Sequence, residues 1–166
     1  MTAPVLIRPA RVEDVAEILA YWNPIIRDTI VTFSSEERTV AGLAAMIADR
    51  RAAGHEFLVA EAGRQVLGHA TYAQFRAGNG YARAMEHTII LAPGARGRGI
   101  GRALIEAIAA HARQAGAHTL IGGVSAGNAE GRAFHAAVGF REVAVVPEVG
   151  WKFGRWHDLV LMLRML

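Results

Sequence analysis

Apolar positions along the chain change their spacing several times, from alternation and short runs to a recurrence every three or four residues, and back. Val5 to Arg8 reads as a short strand stopped by Pro9. From Arg11 to about Arg27, Val12, Val15, Ile18, Leu19 and Trp22 recur at helical spacing, with Glu13, Asp14 and Glu17 near the start, where the helix dipole favours acids. Asn23-Pro24 predicts a bend or interruption in that helix. Val31-Thr32-Phe33 is a connecting segment, and Thr39 caps a second helix with Leu43, Met46 and Ile47 on its apolar face and Gly54 as its stop.

The spacing then shortens. Phe57 to Glu61 and about Gln65 to Phe75, joined at Ala62-Gly63-Arg64, predict an antiparallel hairpin. The glycines of Arg76 to Gly80 mark a loop, and Ala84 to Leu91 is a buried strand. A helix from about Gly99 to Ala115 places Ile100, Leu104, Ile105 and Ile108 on one face, and Gly116 ends it. Thr119 to Val124 is a strand, and Asn128 caps a helix running through Ala137 to Gly139. Phe140 to Val146 and Asp158 to Met165 are the last strands, with Gly150 to His157 as an aromatic and basic loop between them. This order predicts a single α/β domain, residues 1–166, with one sheet covered by helices on both faces.

Composition narrows the chemistry. With 166 residues and 52% hydrophobic content, the chain supports one respectable core. It has no cysteine, so disulfides, thiolate nucleophiles and Cys-based metal sites are excluded. Its seven histidines lack metal-ligand spacing, and no metal is expected. The charge of +3 is spread along the chain, which argues against nucleic acid as the main partner. The N-terminus lacks a signal-peptide core and no run approaches membrane-spanning length, so the expected location is the cytoplasm, with no membrane partner.

The stretch from Met85 to Gly101 concentrates the candidate chemistry. Glu86 is a lone carboxylate in an apolar strand, costly unless paired or solvated; it is either a base or a residue facing solvent. The turn Arg96-Gly97-Arg98-Gly99-Ile100-Gly101 brings backbone amides and positive charge to a helix start, where an oxygen-rich anion binds. It is neither a Walker turn nor a complete dinucleotide fingerprint, so spacing supports a phosphate without naming it.

This turn resembles the Q/R-x-x-G-x-G/A signature of the GNAT superfamily of N-acetyltransferases. Asn128 through Phe140 is similar to that family's last helix ending in Gly-Phe. Within the superfamily, Tyr72 to Arg76, Glu86-His87-Thr88 and Lys152 to Leu159 resemble the phosphinothricin and methionine sulfoximine acetyltransferases. The resemblance spans nearly the whole chain. It implies the GNAT fold, with a mixed, mostly antiparallel central sheet, and an acetyl group carried on coenzyme A and attacked by the primary amine of a small molecule. It also implies a homodimer.

The same resemblance assigns tasks. Arg96, Gly97, Arg98, Gly99, Ile100 and Gly101 would hold the pyrophosphate, and the backbone of Ile89, Ile90 and Leu91 the pantetheine arm. Asn128 would bond near the thioester, cap its helix, or do both. Glu86 would be the base. His135 stands where many relatives carry a tyrosine that protonates the thiolate; its plain reading is a helix histidine. Arg76 and Arg83 would clamp the acceptor's acidic group, with Phe75, Tyr81 and Phe33 as walls. Relatives often have Trp-Arg at 75–76 and a second arginine at the position of Ala82, so this chain departs where the acceptor is chosen. Lys152 and His157 read as loop anchors.

Three rival readings stand beside this one. Gly123-Val124-Ser125-Ala126-Gly127 matches a nucleophile elbow, with Glu148 and His157 as a downstream acid and histidine in triad order. A second reading keeps the acetyl donor and moves the acceptor to a protein N-terminus, a lysine or a polyamine. A non-catalytic acyl-CoA sensor would bind the coenzyme without turnover.

Overall fold

The computed structural model describes residues 4–166. In chain order the strands are β1 (Val5–Pro9), β2 (Phe57–Ala62), β3 (Gln65–Gln74), β4 (Ala84–Leu91), β5 (Thr119–Ser125), β6 (Arg141–Lys152) and β7 (Arg155–Met165). The helices are α1 (Val15–Asp28), α2 (Val40–Ala52), α3 (Ile100–Gln114) and α4 (Ala129–Ala137). The strands form one sheet in the order β1-β2-β3-β4-β5-β7-β6. Every pairing is antiparallel except β4 with β5.

Two cores flank the sheet. α1 and α2 pack Ile18, Trp22, Ile26, Leu43 and Ile47 against Phe57, Val59 and Ile90 on one face. α3 packs Ile100, Leu104, Ile105 and Ile108 with Tyr72, Met85, Leu120 and Met162 on the other. Helices on both faces are as the apolar pattern predicts, and the mixed, mostly antiparallel sheet is as the resemblance implies. Thr39 and Asn128 also cap their helices, accepting from the backbone N–H of Gly42 at 3.0 Å and of Gly131 at 2.9 Å.

Three local expectations change. Pro9 stays within β1, because β1 is an edge strand and a missing N–H costs no ladder bond there. A 3-10 turn, Val12–Asp14, precedes α1, and Pro24 does not interrupt that helix. The carbonyl that Pro24 leaves without an intrahelical donor belongs to Ala20, which is exposed to water. Asn23 beside it is half-buried and bonds the backbone of Arg38, accepting from its N–H at 2.9 Å and donating to its carbonyl at 3.0 Å.

The third change is at Gly150 to His157, a hairpin rather than a loop. β6 and β7 continue to Lys152 and from Arg155, so only Phe153-Gly154 is turn. Both have positive φ, 53° and 70°, the two-residue geometry that matches strand twist. Trp151 and Trp156 form a cross-strand pair with ring centroids 4.8 Å apart.

Candidate active site

β4 and β5 pair at only three positions, Ala84 with Thr119, Met85 with Leu120 and Glu86 with Ile121. β4 continues to Leu91 in register with β3, down to Gly68. Beyond Glu86 its edge towards β5 is therefore unpaired. A cavity of about 810 Å³ occupies this gap and extends to the start of α3. Glu86 through Leu91 form one wall, and Gly122 through Ser125 with α4 form another.

Side chains alternate across a strand, so neighbours on β4 reach the cavity from opposite sides. Glu86 points to the α1–α2 face: a Cβ on Gly123 would stand 3.3 Å from its Oε1. Glu86 is exposed to the open cavity, and the partial loss of solvent at the cavity wall pushes its carboxyl above the ordinary carboxylate range. His87 points to the α3–α4 face, where it meets His135; a Cβ on Gly122 would stand 2.9 Å from the His87 ring and 3.1 Å from His135 Nε2.

Both histidines are buried and tightly held. His87 Nδ1 lies 3.0 Å from the Ile121 carbonyl, the two Nε2 atoms are 3.0 Å apart, and His135 Nδ1 is 2.7 Å from the Gly131 carbonyl. Burial lowers both pKa values, that of His87 to about 3, with the charge of His135 adding to the effect. Both ring nitrogens of His135 are occupied, so it presents no free N–H to the cavity. This corrects the expectation of a direct proton donor there.

The turn before α3 is open at its glycines. Gly97 and Gly99 have φ of 73° and 75°, and nothing stands within 4 Å of where their side chains would begin. Their amides are thus accessible to a ligand at a helix N-terminus. Arg96, Gly97, Gly99, Ile100 and Gly101 line the cavity, as do Asn128 and Ile89 to Leu91. Arg98 does not; Arg102 takes a place on the wall instead, donating to the Ala137 carbonyl at 2.8 Å. Arg96 is ion-paired with Glu130, both exposed.

Of the residues expected to choose the acceptor, only Phe33 lines the cavity. Phe75, Arg76, Tyr81 and Arg83 do not, and the reason lies in the register. Ala73 pairs with Glu86, and Phe75 N–H donates to the Ala84 carbonyl, so the loop leaves the sheet behind Glu86. The cavity opens the other way, towards Leu91. Arg76 instead lies over the Tyr81 ring, 5.7 Å from its centroid.

The wall on the α1–α2 side holds residues that the sequence did not single out: Trp22, Ile25, Ile26 and Arg38. The Arg38 guanidinium lies 4.2 Å from the Trp22 ring centroid, and its buried Nε has no partner. Among the described residues no carboxylate forms an ion pair with it. Burial and the charge of Arg50 lower its pKa. Lys152 Nζ donates to the carbonyls of Ile26 at 2.5 Å and Thr32 at 2.7 Å, fastening the segment that carries Phe33. His157 donates from Nε2 to the Lys152 carbonyl at 3.0 Å and stacks on Phe33. Both are anchors, as read from the sequence.

The nucleophile-elbow reading finds no geometry. Ser125 Oγ is buried without a hydrogen-bond partner, and His157 Nε2 is committed to Lys152. No histidine activates this serine. Among the described residues, no group of three or more His, Cys, Asp or Glu is placed to hold a metal ion.

Residues 22–140 match the model of the acetyltransferase (GNAT) family. The chain is 34% identical over 157 residues to the L-methionine sulfoximine/L-methionine sulfone acetyltransferase of Pseudomonas aeruginosa, covering 94% of this chain and 91% of that protein. Its fold superposes on the ribosomal-protein-alanine N-acetyltransferase of Brucella melitensis with a TM-score of 0.93 and 37% identity, over 97% of this chain and 99% of that one. The structure of yncA from Salmonella typhimurium, solved with its cofactor acetyl-CoA, also gives 0.93, at 30% identity over 99% and 95% of the two chains.

Proposed function

The chain belongs to the acetyltransferase (GNAT) family and is an N-acetyltransferase, and from that premise we propose that acetyl-CoA is its donor and a small amino-acid-like amine its acceptor. Methionine sulfoximine, methionine sulfone and phosphinothricin are the best candidates. The observation that carries this reading is the gap between β4 and β5, with the Glu86 carboxylate on one side and a helix N-terminus at its far end.

The donor fits the groups that line the gap. The open amides at Gly97 and Gly99, with Arg96 and Arg102, would hold the pyrophosphate at the start of α3. The unpaired edge at Ile89, Ile90 and Leu91 would take the pantetheine amides as an added strand, and Asn128 lies across from them. Glu86, with its raised pKa, takes the proton that the attacking amine must lose, directly or through water.

The acceptor would lie on the α1–α2 face beside Glu86, against Trp22, Ile25 and Phe33. Arg38 is the charged group available there for an acidic acceptor, since Arg76 and Arg83 stand behind Glu86. A polyamine would want several carboxylates, and the wall offers Glu86 and Glu130 alone. A protein terminus wants an open groove, whereas Lys152 fastens the segment around Phe33 over this side.

A homodimer and a cytoplasmic location belong to the same reading, as does a single catalytic domain. The edge hairpin β6–β7 exposes Val145, Trp151, Phe153 and Trp156, each more than half accessible. An apolar face of this kind on an edge strand is suited to a second copy. Among the described residues, no helix is long and apolar enough to cross a membrane. Incubation with acetyl-CoA and each amine, followed by mass spectrometry, tests the assignment: one acetyl group on the acceptor's amine is expected. Acetylation of a peptide terminus with none of the three amines modified would overturn the acceptor class.

A further inference from the structure

The His87–His135 pair has more contacts than two neutral rings can satisfy. Each of its three heavy-atom contacts, at 3.0, 3.0 and 2.7 Å, needs one proton. Two neutral imidazoles carry two N–H protons between them. If both Nδ1 atoms donate to the Ile121 and Gly131 carbonyls, the two Nε2 lone pairs face each other. If one Nε2 donates, a bare Nδ1 faces a carbonyl oxygen. Only a third proton, with one positive charge, satisfies all three contacts.

Burial opposes that charge. Phe140 packs against both rings, with centroids 5.1 and 5.3 Å away, and Phe134 lies edge-on to His135 at 5.3 Å. Among the described residues no carboxylate compensates. On β4, Glu86 points to the other face; on β5, Ile121, Gly122 and Gly123 are uncharged. On α4, Glu130 and Arg132 are engaged with Arg96 and Glu142, the latter from β6. On β7 and α3, Arg164 pairs with Glu106, while Arg102 bonds the Ala137 carbonyl. The pair therefore stands between two opposed effects, with the cavity as the one side from which a negative charge can arrive.

We propose that His87 and His135 share a third proton when negative charge forms on the departing sulfur, making the pair a switchable cation on the leaving-group side of the gap. This rests on the acetyl-CoA reading above. His87 is the positioning residue: it holds the proton against His135, which lines the gap beside it. The amine nitrogen forms the new C–N bond and gives its proton to Glu86. The C–S bond breaks with its electron pair on sulfur, and the thiolate stands opposite the charged pair. The third proton comes from water in the open cavity, which both histidines line, stays between the rings while the thiolate stands opposite, and returns to solvent once coenzyme A leaves. The thiolate takes a proton from water as it leaves, and Glu86 returns its own to solvent.

The test is the titration of coenzyme A bound to the intact protein, followed by thiolate absorbance in the ultraviolet. A free thiol titrates near 8.5, and an opposite charge nearby lowers such a value by about one unit or more. That lowering is expected in the wild type and should vanish in His87→Phe. The rate with the best acceptor should fall about tenfold at neutral pH, as for loss of a supporting partner. Acetyl-CoA affinity should hold. His87→Gln, which bridges the space without titrating, guards against a misfolded variant and should also lose the lowered value. An equal bound-thiol pKa in the wild type and either folded variant would overturn the proposal while leaving the acetyltransferase reading intact. Failure of the wild type to bind acetyl-CoA would overturn both.

Discussion

Glu86 and His87 are consecutive in β4, yet they serve opposite faces of the sheet at the point where β4 and β5 part. Glu86 stands by Gly123 with the α1–α2 core; His87 stands by Gly122 with α4. A thioester threaded through this gap would meet the amine and its base from one side and release sulfur on the other. Proton removal by Glu86 and charge stabilisation by the histidine pair, as proposed above, would then be separated by strand alternation at a single splayed register.

Glu86→Gln should lower kcat by about a hundredfold or more, the usual scale for losing a general base, with acetyl-CoA affinity near normal. The pKa of Glu86 is raised, so its ionised form appears only above that value. Activity of the wild type should rise with pH through a pKa above the usual glutamate figure of about 4.3 and be lost as pH falls below it. A pH–rate profile of kcat/KM checks both points; an unaltered profile in Glu86→Gln removes its role.

Arg38→Met should raise KM for an acidic amino-acid acceptor about tenfold, the scale of one charge-assisted hydrogen bond, and leave acetyl-CoA affinity unchanged. The methionine keeps contact with Trp22, so lost packing is limited. Steady-state kinetics in both substrates separate the effects. The same loss in Arg76→Met, and none in Arg38→Met, would return acceptor selection to the loop behind Glu86.

Asp14→Asn should cost about 3 kcal/mol at neutral pH, as for breaking a largely buried ion pair. Arg8 grips both oxygens of Asp14, at 2.7 and 2.8 Å, and the Arg11 N–H adds a third bond at 2.7 Å. The guanidinium of Arg8 holds the Asp14 carboxyl below its ordinary range. Its contribution is therefore present above the unfolded pKa of about 3.9 and is lost as pH falls through the lower folded value. Denaturant unfolding at neutral and acid pH should show the two proteins converging as pH drops.

Trp156→Glu should convert a dimer to monomers, read by sedimentation velocity. A charge at the Trp151–Trp156 pair disfavours burial against a second copy. The same sedimentation coefficient in both proteins would remove this hairpin from any interface.

The element order and the glycine turn before α3 are legible in the sequence because helix caps, glycines and apolar spacing are local signals. The interruption expected at Pro24 is absent because exposure of Ala20, a tertiary fact, decides its cost. The Gly150–His157 hairpin escapes because its turn uses positive φ at Phe153, a residue that seldom adopts it. The acceptor residues are the instructive case. Arg76 and Arg83 look like a clamp by type, but only the register of Ala73 with Glu86 shows that the loop carrying them leaves the sheet behind Glu86. Arg38 carries no motif, and pairing His87 with His135 requires knowing which strand α4 packs on.

The most direct test of the central claim is the rate of free thiol release from acetyl-CoA by the purified protein with methionine sulfone, methionine sulfoximine or phosphinothricin as acceptor. Saturable release with at least one of them, dependent on Glu86, is the predicted result. No release above the hydrolysis background with any of the three, in protein shown to bind acetyl-CoA, would contradict it.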